Sequence, residues 1–119
     1  AWTARRRELA ARYRAALQAL PVEVPPECDA GHVYHLFVVR VPDRDRFQRQ
    51  LAADGIETLV HYPLPIPRQQ AFAHMAPADC PFAARACAEV VSLPLHPGLS
   101  DGDLDAVVSA VKGHDGCVR

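Results

Sequence analysis

The residues best suited to chemistry stand at two junctions where an extended stretch gives way to a loop. His61-Tyr62 leads into Pro63, Pro65 and Pro67, and His96 lies in Leu95-His96-Pro97. An imidazole and a phenol on a chain stiffened by proline form a polar edge with little ordering entropy left to lose. Such an edge suits recognition of hydroxyls and phosphates. Prolines also shape ordinary turns, so on these grounds alone the structural role is the commoner one for either histidine.

Other reactive side chains form no constellation. Ser92, Ser100 and Ser109 fall at a strand end, in a cap and in a helix, and none sits in a Gly-x-Ser-x-Gly elbow. Cys80 and His74 are six residues apart, a spacing that says nothing about thiol–imidazole geometry. Glu57, Asp79 and Glu89 are scattered. Cys28, Cys80, Cys87 and Cys117, at spacings of 52, 7 and 30, form no CxxC pair and match no zinc pattern. They read as reduced thiols of a cytoplasmic protein. The six glycines are nowhere grouped into a phosphate loop. The only lysine is Lys112.

At 119 residues the chain has enough length for one modest core, and its 50% apolar content fits a folded domain. Arginines far outnumber lysine, yet acids balance them to a net charge of −1. That balance argues against nucleic acid, which calls for a basic excess. No apolar run is long enough to cross a bilayer, and no membrane partner is expected. The chain opens on Ala1 and directly in a helical pattern, which predicts a piece of a longer protein.

The elements that position these residues follow from periodicity. Trp2, Leu9, Tyr13, Ala16, Leu17 and Leu20 predict an inward stripe on a helix over 2–20. Its arginines, Arg5, Arg6, Arg7, Arg12 and Arg14, predict a solvated face or a surface packed on another domain. Pro21, Pro25 and Pro26 make 21–31 an extended linker. Residues 32–41 alternate as a strand, with His32 and His35 on opposite faces and so unable to share a metal. Asp43 caps a helix to about Ala53 that buries Phe47 and Leu51 and ends at Asp54-Gly55. Residues 56–61 predict a second strand, and the prolines after it an extended loop outside regular structure. A short helix is expected over 68–75, another over 82–89, and a strand at Val90 to Leu93. Ser100-Asp-Gly-Asp103 resembles a capping box, and Leu104, Val107, Val108 and Val111 line the last helix. Lys112 and His114 complement its C-terminal dipole, and the tail from Gly113 is expected to fray.

Read together, Gly55 through Pro65, Arg68-Gln-Gln-Ala-Phe72 and Phe82 through Pro97 resemble the C-terminal domain of the DegT/DnrJ/EryC1/StrS sugar aminotransferases. These ordered matches span some ninety residues, and Ala1 through Glu8 resembles the helix that follows the family's large domain. The resemblance implies an α+β fold: a two-layer small domain (32–119) with a short, mostly antiparallel sheet covered by helices. A long interdomain helix (1–20) and a linker (21–31) precede it. It implies a pyridoxal 5'-phosphate (PLP) enzyme, cytoplasmic and homodimeric. Such an enzyme moves an amino group from an amino acid, commonly glutamate, to a nucleotide-linked keto-sugar. The cofactor lysine is then expected outside this chain, in a large domain, so the isolated chain is expected to be inactive and to hold no cofactor or metal.

By the same resemblance His61 and Tyr62 border the substrate pocket, and His96, from its own proline-flanked setting, is a further substrate-binding candidate. Where family members carry a second histidine before Gln-x-Ala-aromatic, this chain has Pro67. Arg68, which can clasp a phosphate through two parallel hydrogen bonds, is the candidate replacement. A PLP-dependent sugar dehydratase of the same family and a free-standing small-ligand module are the alternatives.

Overall fold

A computed structural model describes residues 1–75 and 79–113. Helix α1 (Trp2–Leu17) buries Leu9, Ala10, Tyr13 and Leu17. Ala16 and Leu20 pack against the same core. Trp2, expected in the stripe, is instead 74% exposed, because the core begins only at the third turn. The arginines do more than face solvent. Arg5 reaches Leu99 O (3.0 Å) and Asp101 (2.6 Å), and Arg12 reaches Asp101 (2.7 Å) and Asp105 (2.8 Å). Arg7 donates to Ala30 O (2.6 Å) and His32 O (2.8 Å). The basic face therefore pins α1 to the last helix and to the 29–34 loop.

Strand β1 (Phe37–Arg40) is shorter than the expected 32–41. Tyr34 has φ of 50°, a left-handed conformation that interrupts any strand. It is nonetheless buried, its hydroxyl bonded to Glu27 and to Arg14 Nε. From Phe37 onward the alternation holds: Phe37, Val39 and Val41 are buried, and Val38 lies on the other face.

Helix α2 (Arg44–Ala53) starts where Asp43 accepts from Arg46 N (3.1 Å) and buries Phe47 and Leu51. It ends in a Schellman pattern, with Gly55 N bonded to Ala52 O (3.0 Å) and Ile56 N to Leu51 O (2.9 Å). Gly55 takes the required positive φ, 78°.

Residues 56–61 do not form the expected strand. They make one antiparallel bridge, Leu59 to Ser92. The physical reason lies in the partner. The next bonded pairs along such a ladder are 57 with 94 and 61 with 90. Pro94 has no N–H to give, and the Val90 N–H already caps the preceding helix at Ala86 O. Beyond, the loop tightens into two 3₁₀ turns, Ile66–Arg68 and Gln70–Phe72, the second in place of the helix expected over 68–75. Pro67 does not forbid the first turn, since an N–H near a helix start has no intrahelical acceptor.

Helix α3 (Pro81–Glu89) passes directly into β2 (Val90–Leu93). The two strands pair antiparallel, Phe37 with Leu93 and Val39 with Val91 on the buried face. Single antiparallel bridges, Glu23 to Arg40 and Leu59 to Ser92, extend the sheet on either side. Helix α4 (Asp101–Gly113) begins with the capping box. Asp103 N donates to Ser100 Oγ (3.1 Å), and the Asp103 carboxylate accepts from Ser100 N (3.2 Å) and Oγ (2.6 Å). The fold is thus α+β in two layers, with helices α1, α2 and α4 sharing one core with the inner face of the sheet. No helix among the described residues is long and apolar enough to cross a membrane. His114 and Cys117, and the expectation of fraying beyond Gly113, lie outside the described residues.

Candidate functional site

The outer face of the sheet is open. Leu36 and Val38 of one edge, and Val90 and Ser92 of β2, point away from the core with Leu59 beside them. Two hollows sit on this face and share Leu36, Leu59, His61 and Ser92. The larger, about 350 Å³, adds Glu57, Pro94, Leu95 and His96. The smaller, about 230 Å³, adds Val38, Tyr62, Ala86 and Cys87. An aliphatic floor with a few polar groups at the rim is the usual make-up of a small-ligand site.

His61 is where the two hollows meet. The bridge at Leu59 fixes the chain two residues earlier, and His61 Nδ1 lies 3.0 Å from Ser92 Oγ. Ser92 is 7% exposed, the only buried polar residue among those described. His96 follows β2 by three residues and lines the larger hollow with His61. Tyr62 borders the smaller one and is 72% exposed. Arg68 ends the first 3₁₀ turn and lines neither hollow; among the described residues its guanidinium has no hydrogen bond or ion pair. The structure therefore gathers three of the four expected residues and leaves Arg68 apart.

Charge is arranged at the edges. Among the described residues Glu57 is the only carboxylate lining either hollow. At the far side Arg85 (2.8 Å) and Arg40 (2.7 Å) both bind Glu89. The hydrogen bond from Arg85, then that from Arg40, holds the Glu89 carboxyl below the usual range. This cluster ties α3 to β1 and leaves the hollows' floor uncharged. Among the described residues no three potential ligands group as a metal site.

Comparison with known proteins decides the lineage. The profile of the DegT/DnrJ/EryC1/StrS aminotransferase family matches residues 1–112. The chain belongs to this family. It is 42% identical over 108 residues to the dTDP-3-amino-3,6-dideoxy-α-D-galactopyranose transaminase of Aneurinibacillus thermoaerophilus, covering 90% of this chain and 30% of that protein. It is similar to S. venezuelae DesV, crystallised in complex with a ketimine intermediate. That match has a TM-score of 0.91 and 36% identity, and covers 99% of this chain and 33% of that one. NtdA from Bacillus subtilis, with bound cofactor PMP, matches with a TM-score of 0.83 and 28% identity, over 94% of this chain and 28% of that one. The chain thus spans about a third of the length of the relatives it matches.

Within the family frame, the residues present do not make a PLP anchor. The only lysine, Lys112, is exposed on the last turn of α4 and lines neither hollow. Sequence reasoning overlooked Ser92 and Glu57 as site residues. Their place depends on the Leu59–Ser92 bridge, a contact 33 residues apart that no local pattern announces.

Proposed function

We propose that this chain is the substrate-side part of a PLP-dependent aminotransferase that passes an amino group from an amino acid, glutamate by preference, to a nucleotide-linked keto-sugar. Residues 1–20 are its interdomain helix, 21–31 a linker and 32–119 the small domain. A large domain outside this chain carries the cofactor lysine, and the working enzyme is a cytoplasmic homodimer. His61, Tyr62 and His96 contact the sugar nucleotide, and Arg68 meets a phosphate once the rest of the enzyme is in place.

The observation that carries this reading is the convergence of His61 and His96 on one open hollow whose floor is aliphatic. Sugar rings present both C–H faces and hydroxyls, so an apolar floor with imidazoles at the rim is chemically matched to them. The activity of the Aneurinibacillus relative, a transaminase named for a dTDP-linked amino sugar, supports the substrate class. The PMP held by NtdA supports the cofactor, since PMP is the amino form of PLP. PLP supplies the electron sink for amino transfer; this chain's part is to bind and orient. The start of α1 fits a joint with another domain, with Trp2 exposed and Arg6 Nε buried without a partner among the described residues.

Two measurements test the proposal. The 119-residue chain mixed with PLP is expected to show no stoichiometric Schiff-base absorbance, and such a band abolished by K112A contradicts it. The protein translated from the whole reading frame is expected to convert a dTDP- or UDP-linked keto-sugar with glutamate as donor. Absence of amino transfer from any amino acid to either class contradicts it.

A further inference from the structure

Ser92 stands out for what its bonds converge on. Its backbone N–H donates to Leu59 O (2.8 Å), and its carbonyl accepts from Leu59 N (3.3 Å). Its side chain then reaches His61 Nδ1 at 3.0 Å. One residue of β2 thereby holds the 59–61 segment by three bonds, at the only point where that segment joins the sheet. The pairing places Ser92 opposite Val38 on the outer face, where the neighbouring side chains are aliphatic.

The direction of the side-chain bond follows from satisfaction. Ser92 is 7% exposed, and a buried hydroxyl without a partner is costly. Among the described residues the sole partner of its Oγ is His61 Nδ1. With the hydroxyl donating, both groups are satisfied. With Nδ1–H donating instead, the serine proton is left without an acceptor. The first arrangement puts the imidazole proton on Nε2, the one ring nitrogen still available to solvent or ligand, since His61 as a whole is exposed.

We propose that Ser92 is a positioning residue that locks His61 as the Nε2–H tautomer and turns that N–H into a fixed donor at the seam of the two hollows. The ligand atom it selects is an acceptor oxygen, such as a phosphate, carbonyl or hydroxyl oxygen. The role of that donor rests on the substrate-side reading above; the lock itself does not.

The test is ¹⁵N spectroscopy of the histidine rings in the 119-residue chain, with His61 assigned by loss of its signals in H61N. At a pH where the ring is neutral, His61 is expected to hold its proton on Nε2 in about tenfold excess, the ratio one net hydrogen bond supports. S92A is expected to release the ring to a smaller excess, S92T to restore it, and His96 to stay unchanged in both. A proton mainly on Nδ1, comparable populations of the two tautomers in the unmodified chain, or an S92A spectrum identical to it overturns the lock. Should S92A fail to fold, the unmodified chain's spectrum still decides. In the longer protein, H61A read by KM for the nucleotide sugar separates the two ideas. A locked tautomer with an unchanged KM sinks the substrate-side reading alone, and a raised KM with an unlocked ring sinks the lock alone.

Discussion

The two faces of one short sheet are built from alternate residues of the same strands, yet they do opposite jobs. On the inner face Phe37, Val39, Val91 and Leu93 are buried against α1, α2 and α4. Tyr13 meets Phe37 there with ring centroids 4.8 Å apart. On the outer face Val38, Val90 and Leu59 are left partly or largely exposed, and the polar groups are His61, Ser92 and His96. The difference teaches that register alone divides fold from function here. A slip of one residue would exchange every side chain between the faces. The same contrast runs along the chain, because the 59–75 arm exposes Leu59, Tyr62, Leu64, Ile66 and Met75 while α2 before it and β2 after it feed the core.

Breaking the inner face is expected to cost most. F37A removes a side chain 2% exposed and should destabilise the domain by about 3–5 kcal/mol in urea denaturation. That is a large fraction of the roughly 5–15 kcal/mol by which a folded domain is stable. V38A, one residue along on the outer face, should cost less than about 1 kcal/mol in the same assay. Equal losses would erase the distinction between the faces.

Acid is expected to act next, on the clamps that hold the helices over the inner face. The hydrogen bond from Arg5 leads in holding Asp101 below the usual carboxylate range, and the Ser100 hydroxyl leads at Asp103. Depressed carboxylates contribute stability that is fully present above their unfolded values, near pH 4, and is lost as pH falls through the lower folded values. The urea midpoint should therefore hold above about pH 5 and fall below about pH 4, and D101N should shrink that fall. A midpoint indifferent to acid would contradict the clamp.

Smaller effects sharpen the contrast. S100A removes the cap of α4 and should cost about 1 kcal/mol. H96A should stay within about 0.5 kcal/mol of the parent chain, since His96 is exposed, whereas H61A leaves the buried Ser92 hydroxyl without its partner and should cost about 1–3 kcal/mol. A large loss at His96 would move it from site to scaffold.

What could be read from the chain alone divides along similar lines. Helix α2 with its Asp43 cap, α4 with its Ser100–Asp103 box, and β2 were legible because each is specified within a few residues. Residues 32–36 and 56–61 looked like strands by composition. Tyr34's left-handed backbone broke the first, and the occupied Val90 N–H with Pro94 limited the second to one bridge. The second cause is not local, since Val90 and Pro94 lie some thirty residues or more from the stretch they limit. Trp2 followed the helical period, but the core does not extend to that turn. His61, Tyr62 and His96 were legible as candidates from their proline-stiffened settings. The meeting of His61 and His96 in one hollow, and Ser92's bond to His61, depend on a long-range bridge that periodicity does not encode.

The measurement closest to the central claim is KM for the nucleotide-linked keto-sugar in the protein of the whole reading frame, with H61A and H96A compared against the unmodified enzyme. The outer-face account predicts a rise of about tenfold in each, the worth of one hydrogen bond to substrate, with KM for the amino donor unchanged. Values for the sugar nucleotide within about twofold of the parent in both variants would contradict it.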